Sequence, residues 1–69
     1  MPDELTLPRT SAPAARAVDD AGVRDLRDLA ARTEREIASL HGMGPKALQV
    51  YKAALAAAGL AFREDAPKG

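Results

Sequence analysis

Ile37-Ala38-Ser39-Leu40-His41-Gly42-Met43-Gly44-Pro45-Lys46-Ala47-Leu48-Gln49-Val50 is an apolar helix end, a Gly-Met-Gly turn and a second helix that opens on Pro-Lys. Gly42 and Gly44 flank one apolar residue, and only glycine takes positive φ, or lets foreign backbone come close, at little steric cost. Met43 between them is expected to be a buried plug. Pro45 suits the first position of the following helix, where its missing N–H would have had no partner and its φ is already helical. Lys46 projects from the first turn of that helix. The positive end of a helix dipole favours anions, so a lysine there makes sense where an external anion shares the site. A turn of this kind can aim several free backbone N–H groups at one phosphate without any catalytic side chain. The same Gly-X-Gly-Pro spacing also makes a tight turn between two helices in interaction modules that touch no nucleic acid.

The chain has 69 residues, enough for one small domain near the size at which a single core is only just sufficient. Cysteine is absent, so neither disulfides nor a thiolate metal site can add stability, and hydrophobic burial has to hold the fold. Met1 to Arg9 is acidic and contains proline rather than being basic and then apolar, and no run approaches the roughly 20 apolar residues of a membrane span. A cytoplasmic protein with no membrane partner is the expectation. Alanine occurs sixteen times and the only aromatics are Tyr51 and Phe62, a composition that favours closely packed short helices over a sheet.

Four helical segments are punctuated clearly. The first begins after Ser11 as N-cap, accepts Pro13 in its first turn and stops at Gly22, with Val18, Ala14, Ala15 and Ala17 as a small apolar face. The second runs from about Leu26 to Ala31 with Asp25 as N-cap and Asp28 three residues on, and Leu26, Leu29 and Ala30 mark its buried side. The third opens on Thr33-Glu34-Arg35-Glu36, the pattern in which each end residue satisfies the other's backbone N–H. The fourth runs from Pro45 to Ala58 and is closed by Gly59 with Leu60 beyond it. Its Leu48, Tyr51, Leu55 face is expected to meet Leu29, Ile37 and Leu40. Residues 1–10 are expected to be a flexible N-terminal segment, 11–62 the domain, and 63–69 a flexible tail.

The 37–50 stretch resembles a helix-hairpin-helix motif, and the resemblance widens along the chain. From about Ala12 to Leu60 the order Pro-Ala-Ala-Arg-Ala-Val, Ala-Gly-Val, Leu-Arg-Asp-Leu, Arg-Thr-Glu-Arg-Glu-Ile, Gly-Met-Gly-Pro-Lys-Ala-Leu and Gly-Leu is similar to the C-terminal domain of the bacterial RNA polymerase α subunit. That resemblance implies an all-α, compact, SAM-domain-like bundle of four to five short helices with one helix-hairpin-helix. In the family this surface binds the DNA minor groove through the start of the first helix and the hairpin, and also touches activators and sigma factor. Gly44 falls on the family's hairpin glycine, Lys46 on its second lysine and Leu48 on its core leucine. Pro45 replaces the first lysine, and Ala47 the serine that contacts phosphate. The arginine on which the family most relies for the minor groove aligns with Pro13, while Arg16, one turn later, stands where the family has an asparagine. Without the large assembly domain, the chain is expected to be a stand-alone relative.

These readings make Arg16, His41, Gly42, Gly44, Lys46 and Ala47 the candidate DNA or phosphate contacts, and double-stranded DNA the expected partner, together with a transcription or DNA-processing protein. His41 reads either as a residue flanking the turn or as a direct phosphate or base contact. Residues 10–63 carry eight Lys/Arg against six Asp/Glu, a net of +2, so binding is expected to be weak and tolerant of sequence. A protein-interaction module of the same fold that has lost its DNA surface is the alternative. Asp19 and Asp20, at a helix end where carboxylates oppose the dipole, read as mispaired surface charge or as an acidic patch for a protein. Arg24, Arg27, Arg32 and Arg35 alternate with Asp25, Asp28, Glu34 and Glu36 and are expected to form a solvated, paired face. One histidine and scattered carboxylates match no metal spacing. No Ser-His-acid or paired-carboxylate set is present, so neither a cofactor nor catalysis is expected.

Overall fold

The computed structural model describes residues 5–64 and contains four helices, α1 (Ala12–Asp20), α2 (Leu26–Ala30), α3 (Glu34–Ala38) and α4 (Pro45–Ala57). The fold is all-α, and no strand forms among the described residues. The first three helices each open on a side-chain cap. Ser11 Oγ accepts the Ala14 N–H at 3.3 Å, Asp25 Oδ1 accepts the Asp28 N–H at 2.8 Å, and Thr33 Oγ1 accepts the Glu36 N–H at 3.1 Å. The last is reciprocal, because the Thr33 N–H donates to Glu36 Oε1 at 2.9 Å and completes a capping box. Helices of five residues are too short to persist alone, so these caps and their tertiary contacts hold them.

The helix ends are equally local in origin. Gly22 and Gly59 take φ of 84° and 75° just after α1 and α4. The N–H groups of Val23 and Leu60 then reach back to the carbonyls of Val18 and Leu55 at 2.9 and 2.7 Å, closing both helices as Schellman motifs.

A single core joins Ala14 and Val18 of α1, Val23, Leu26 and Leu29 around α2, Ile37 of α3, and Ala47, Tyr51 and Leu55 of α4. The α4 stripe is thus Ala47, Tyr51 and Leu55, at spacing i, i+4, i+8. Leu48 and Leu40 are only half-buried, flanking the core rather than filling it. Met43 is likewise half-buried and packs on the core edge, and is therefore not the fully enclosed plug expected. Ala15 is exposed and leaves Ala14, Ala17 and Val18 as the inner face of α1. The buried Tyr51 hydroxyl is satisfied by Thr10 Oγ1 at 2.8 Å, so its ring serves the interior and cannot stack on a base.

Of the segment 1–10, residues 5–10 are docked: Leu5 and Leu7 pack on the core, Thr6 bridges Asp25, and the Leu26 N–H donates to the Leu5 carbonyl at 2.6 Å. At the other end the Arg63 N–H donates to the Arg32 carbonyl at 2.9 Å. Residues 1–4 and 65–69, where flexibility was also expected, lie outside the described residues. Arg32 does not belong to a solvated face. It is half-buried, and its Nη2 donates at 2.9 Å to the carbonyl of Ala21, the C-cap of α1, where a cation complements the helix dipole. Lys52 pairs with Glu34 at 3.3 Å between α4 and α3 on open surface, a contact of small energetic weight.

The capping box carries a pH signature. The Thr33 backbone N–H, then the Thr33 hydroxyl and the Arg32 and Arg63 charges, hold the Glu36 carboxyl below 4.5. The folded state therefore prefers the ionised form, so this contribution to stability is complete above pH 4.5 and fades as pH falls through the lower folded-state value. Glu36→Gln, which keeps the shape of the box without the charge, should lose part of the acid sensitivity. Urea midpoints at pH 7 and pH 3 should differ less in the variant; an unchanged difference would refute the role of Glu36.

Candidate functional site

The N-terminus of α4 is built differently from the other three. Its N-cap is Gly44, with φ −97° and ψ 167°, and no side chain caps the helix. Pro45 has no N–H to offer, and the N–H groups of Lys46 and Ala47 have no acceptor among the described residues, the first helical bond being Leu48 N–H to the Gly44 carbonyl at 3.0 Å. A Cβ built on Gly44 would meet no heavy atom within 4 Å. Open space thus lies in front of two free donors at the positive end of a thirteen-residue helix, and the exposed Lys46 stands beside them.

Gly42 has a different role. Its φ is 95°, and a Cβ there would lie 2.8 Å from the Pro13 carbonyl oxygen. The turn is pressed against the first turn of α1, which fuses the two into one surface. Two recesses meet there and share Pro13 and Gly42. One, of about 460 Å³, is lined by Ala12, Arg16, Ala17, Asp20 and His41 as well. The other, of about 600 Å³, is walled by Thr10, Ser11, Gly44, Pro45, Lys46, Ala47 and Val50 and is almost entirely apolar.

All six residues singled out in the sequence line one or the other recess: Arg16, His41 and Gly42 the first, Gly42, Gly44, Lys46 and Ala47 the second. Arg16, His41, Gly42 and Lys46 are exposed and Gly44 is half-buried. Ala47 is buried, so it can offer only its backbone N–H. The sequence reading did not place Asp20, Val50 or Thr10 on this surface. Asp20 lies one turn beyond Arg16 on α1, an i, i+4 spacing that marks a shared helix face. Val50, the one exposed large hydrophobic among the described residues, and Thr10 complete the apolar recess. Among the described residues no group of three or more His, Asp or Glu could hold a metal ion, and no helix is long and apolar enough to cross a membrane.

The chain is 43% identical over 45 residues to the DNA-directed RNA polymerase subunit alpha of Mycoplasma mycoides subsp. mycoides SC, a match covering 65% of this chain and 14% of that protein. The similarity supports a relation to the RNA polymerase α subunit, of which this chain spans about one seventh of the length. No family model matches.

Proposed function

We propose that this chain is a non-catalytic DNA-binding module of a transcription-related kind, holding the phosphate backbone beside the minor groove through a helix-hairpin-helix made of α3, the 39–44 turn and α4. The observation that carries this reading is the uncapped N-terminus of α4 with Lys46 beside it and open space before Gly44. A phosphate oxygen there accepts from the Lys46 and Ala47 N–H groups and meets the lysine charge. Arg16, on the other side of the Pro13–Gly42 contact, reaches a second position on the duplex. The likeness to a subunit of a DNA-directed polymerase supports the same reading.

With two or three phosphates engaged and zero net charge on the whole chain, affinity for nonspecific duplex is expected at about 10⁻⁴ to 10⁻⁶ M with a shallow salt dependence. Such a module works tethered or at high local concentration. A second reading, a protein-binding module of the same fold, is favoured by one observation, the apolar recess ending on exposed Val50.

An NMR titration of labelled protein with a short duplex at about 50 mM and about 200 mM salt separates the two. Salt-sensitive shifts confined to Arg16, His41, Gly42, Gly44, Lys46 and Ala47 support DNA binding. No shift at millimolar DNA would exclude it in favour of a protein partner.

A further inference from the structure

Asp20 is the acidic residue of this surface, and phosphate binding does not use it. It is exposed, it shares a face of α1 with Arg16, and it lines the same recess, with His41 and Gly42 on the opposite wall. Neither its carboxylate nor the Arg16 guanidinium has a hydrogen-bond or ion-pair partner among the described residues. A carboxylate facing a polyanion is repelled, and this one also opposes the dipole of its own helix. The recess therefore brings one cation and one anion to the duplex, which contributes little to holding phosphate and suits it to reading.

The chemistry of a groove edge then selects the target. On the DNA-binding reading above, this surface, the turn and the flank of α1 that carries Arg16 and Asp20, lies against the minor groove. In the minor groove, A·T and T·A pairs show only the acceptors adenine N3 and thymine O2, and the single donor is the guanine N2 amino group. Carboxylate is acceptor-only and guanidinium donor-only. G·C is therefore the pair that attracts Asp20, and the neighbouring N3 and O2 acceptors attract Arg16.

We propose that Arg16 and Asp20 form a base-pair selector that biases this module toward G·C pairs, Asp20 accepting from the guanine N2 amino group and Arg16 donating to the adjoining minor-groove acceptors. The proposal rests on the DNA-binding reading above and deepens it: Lys46 and the α4 N-terminus hold any duplex, and Asp20 makes that hold unequal.

The test titrates the whole chain, by fluorescence anisotropy at about 50 mM salt, with duplexes of one length whose central pairs are G·C, A·T or inosine·C. Inosine keeps the major-groove edge of guanine and lacks the N2 amino group. G·C should bind at least about fivefold tighter than inosine·C, and inosine·C should match A·T. Asp20→Ala, which also relieves an unfavourable helix-end charge, should bind every duplex more tightly and bring the ratio close to one, whereas Asp20→Asn, still an acceptor, should keep part of it. Equal affinity for G·C and inosine·C with binding still salt-sensitive overturns the selector and leaves the hairpin reading standing. Failure to bind any duplex overturns both. Tighter binding of an RNA duplex than of G·C DNA would put Asp20 against ribose hydroxyls and overturn the selector as well.

Discussion

Gly42→Ala is expected to destabilise the fold by about 2 to 4 kcal/mol, while Gly44→Ala, two residues away, should stay within about 0.5 kcal/mol of the parent. The two glycines look alike in the sequence and differ in kind. Gly42 has φ of 95°, where a side chain is strained in any surroundings, and its added Cβ would also sit 2.8 Å from the Pro13 carbonyl oxygen, a backbone atom that cannot swing aside. Relief requires the turn to lift from α1, which would part the two recesses that share this contact. Gly44 has an extended backbone open to any residue and no atom near the new methyl. A domain of this size has only about 3 to 5 kcal/mol in reserve, so thermal melts should show a loss of more than about 8 °C for Gly42→Ala and little change for Gly44→Ala. Equal melting of both variants would mean that the turn does not rest on Pro13 in solution.

Lys46→Glu carries the largest expected effect on binding. It should weaken duplex binding by at least about tenfold and lower the salt slope by about one. The fold should be unaffected, since Lys46 is exposed and a glutamate in the first turn of a helix is favourable to the dipole. Gly44→Asp makes the complementary point. Its carboxylate would cap the Lys46 and Ala47 N–H groups that now have no acceptor, adding about 0.3 kcal/mol or more to stability, while placing an anion where the phosphate belongs. Stability should rise as DNA binding weakens. That opposite movement separates a site from a fold defect, because damage to the fold would lower both. Unaltered binding in Lys46→Glu would refute the proposed role of the hairpin.

Helix starts and stops were legible in the sequence because they are set within four or five residues. Ser11, Asp25 and Thr33 cap through their own side chains, and Gly22 and Gly59 end helices through their own φ. On α4 the size of Leu48 marks it as a core residue, whereas the i, i+4, i+8 spacing with Tyr51 and Leu55 puts the smaller Ala47 inside and leaves Leu48 half-buried. Arg32 sits among alternating charges in the sequence, and the acceptor that takes it off the solvated face, the Ala21 carbonyl, lies eleven residues away. The docking of residues 5–10 rests on two leucines and one bridge to Asp25, which leave no periodic trace.

The candidate site divides along the same line. Local chemistry marked Gly42, Gly44, Lys46 and Ala47, because a turn followed by an uncapped helix is a property of consecutive residues. The sequence by itself determined four helices, the side-chain caps of the first three and the glycine turn before α4. Only the tertiary structure decided that Gly42 lies against Pro13, and hence that Arg16, Asp20 and His41 line one recess beside the turn. Caps and turns are set by dihedrals and hydrogen bonds between near neighbours, whereas the meeting of α1 with the turn is set by how side chains far apart in the chain fill one core.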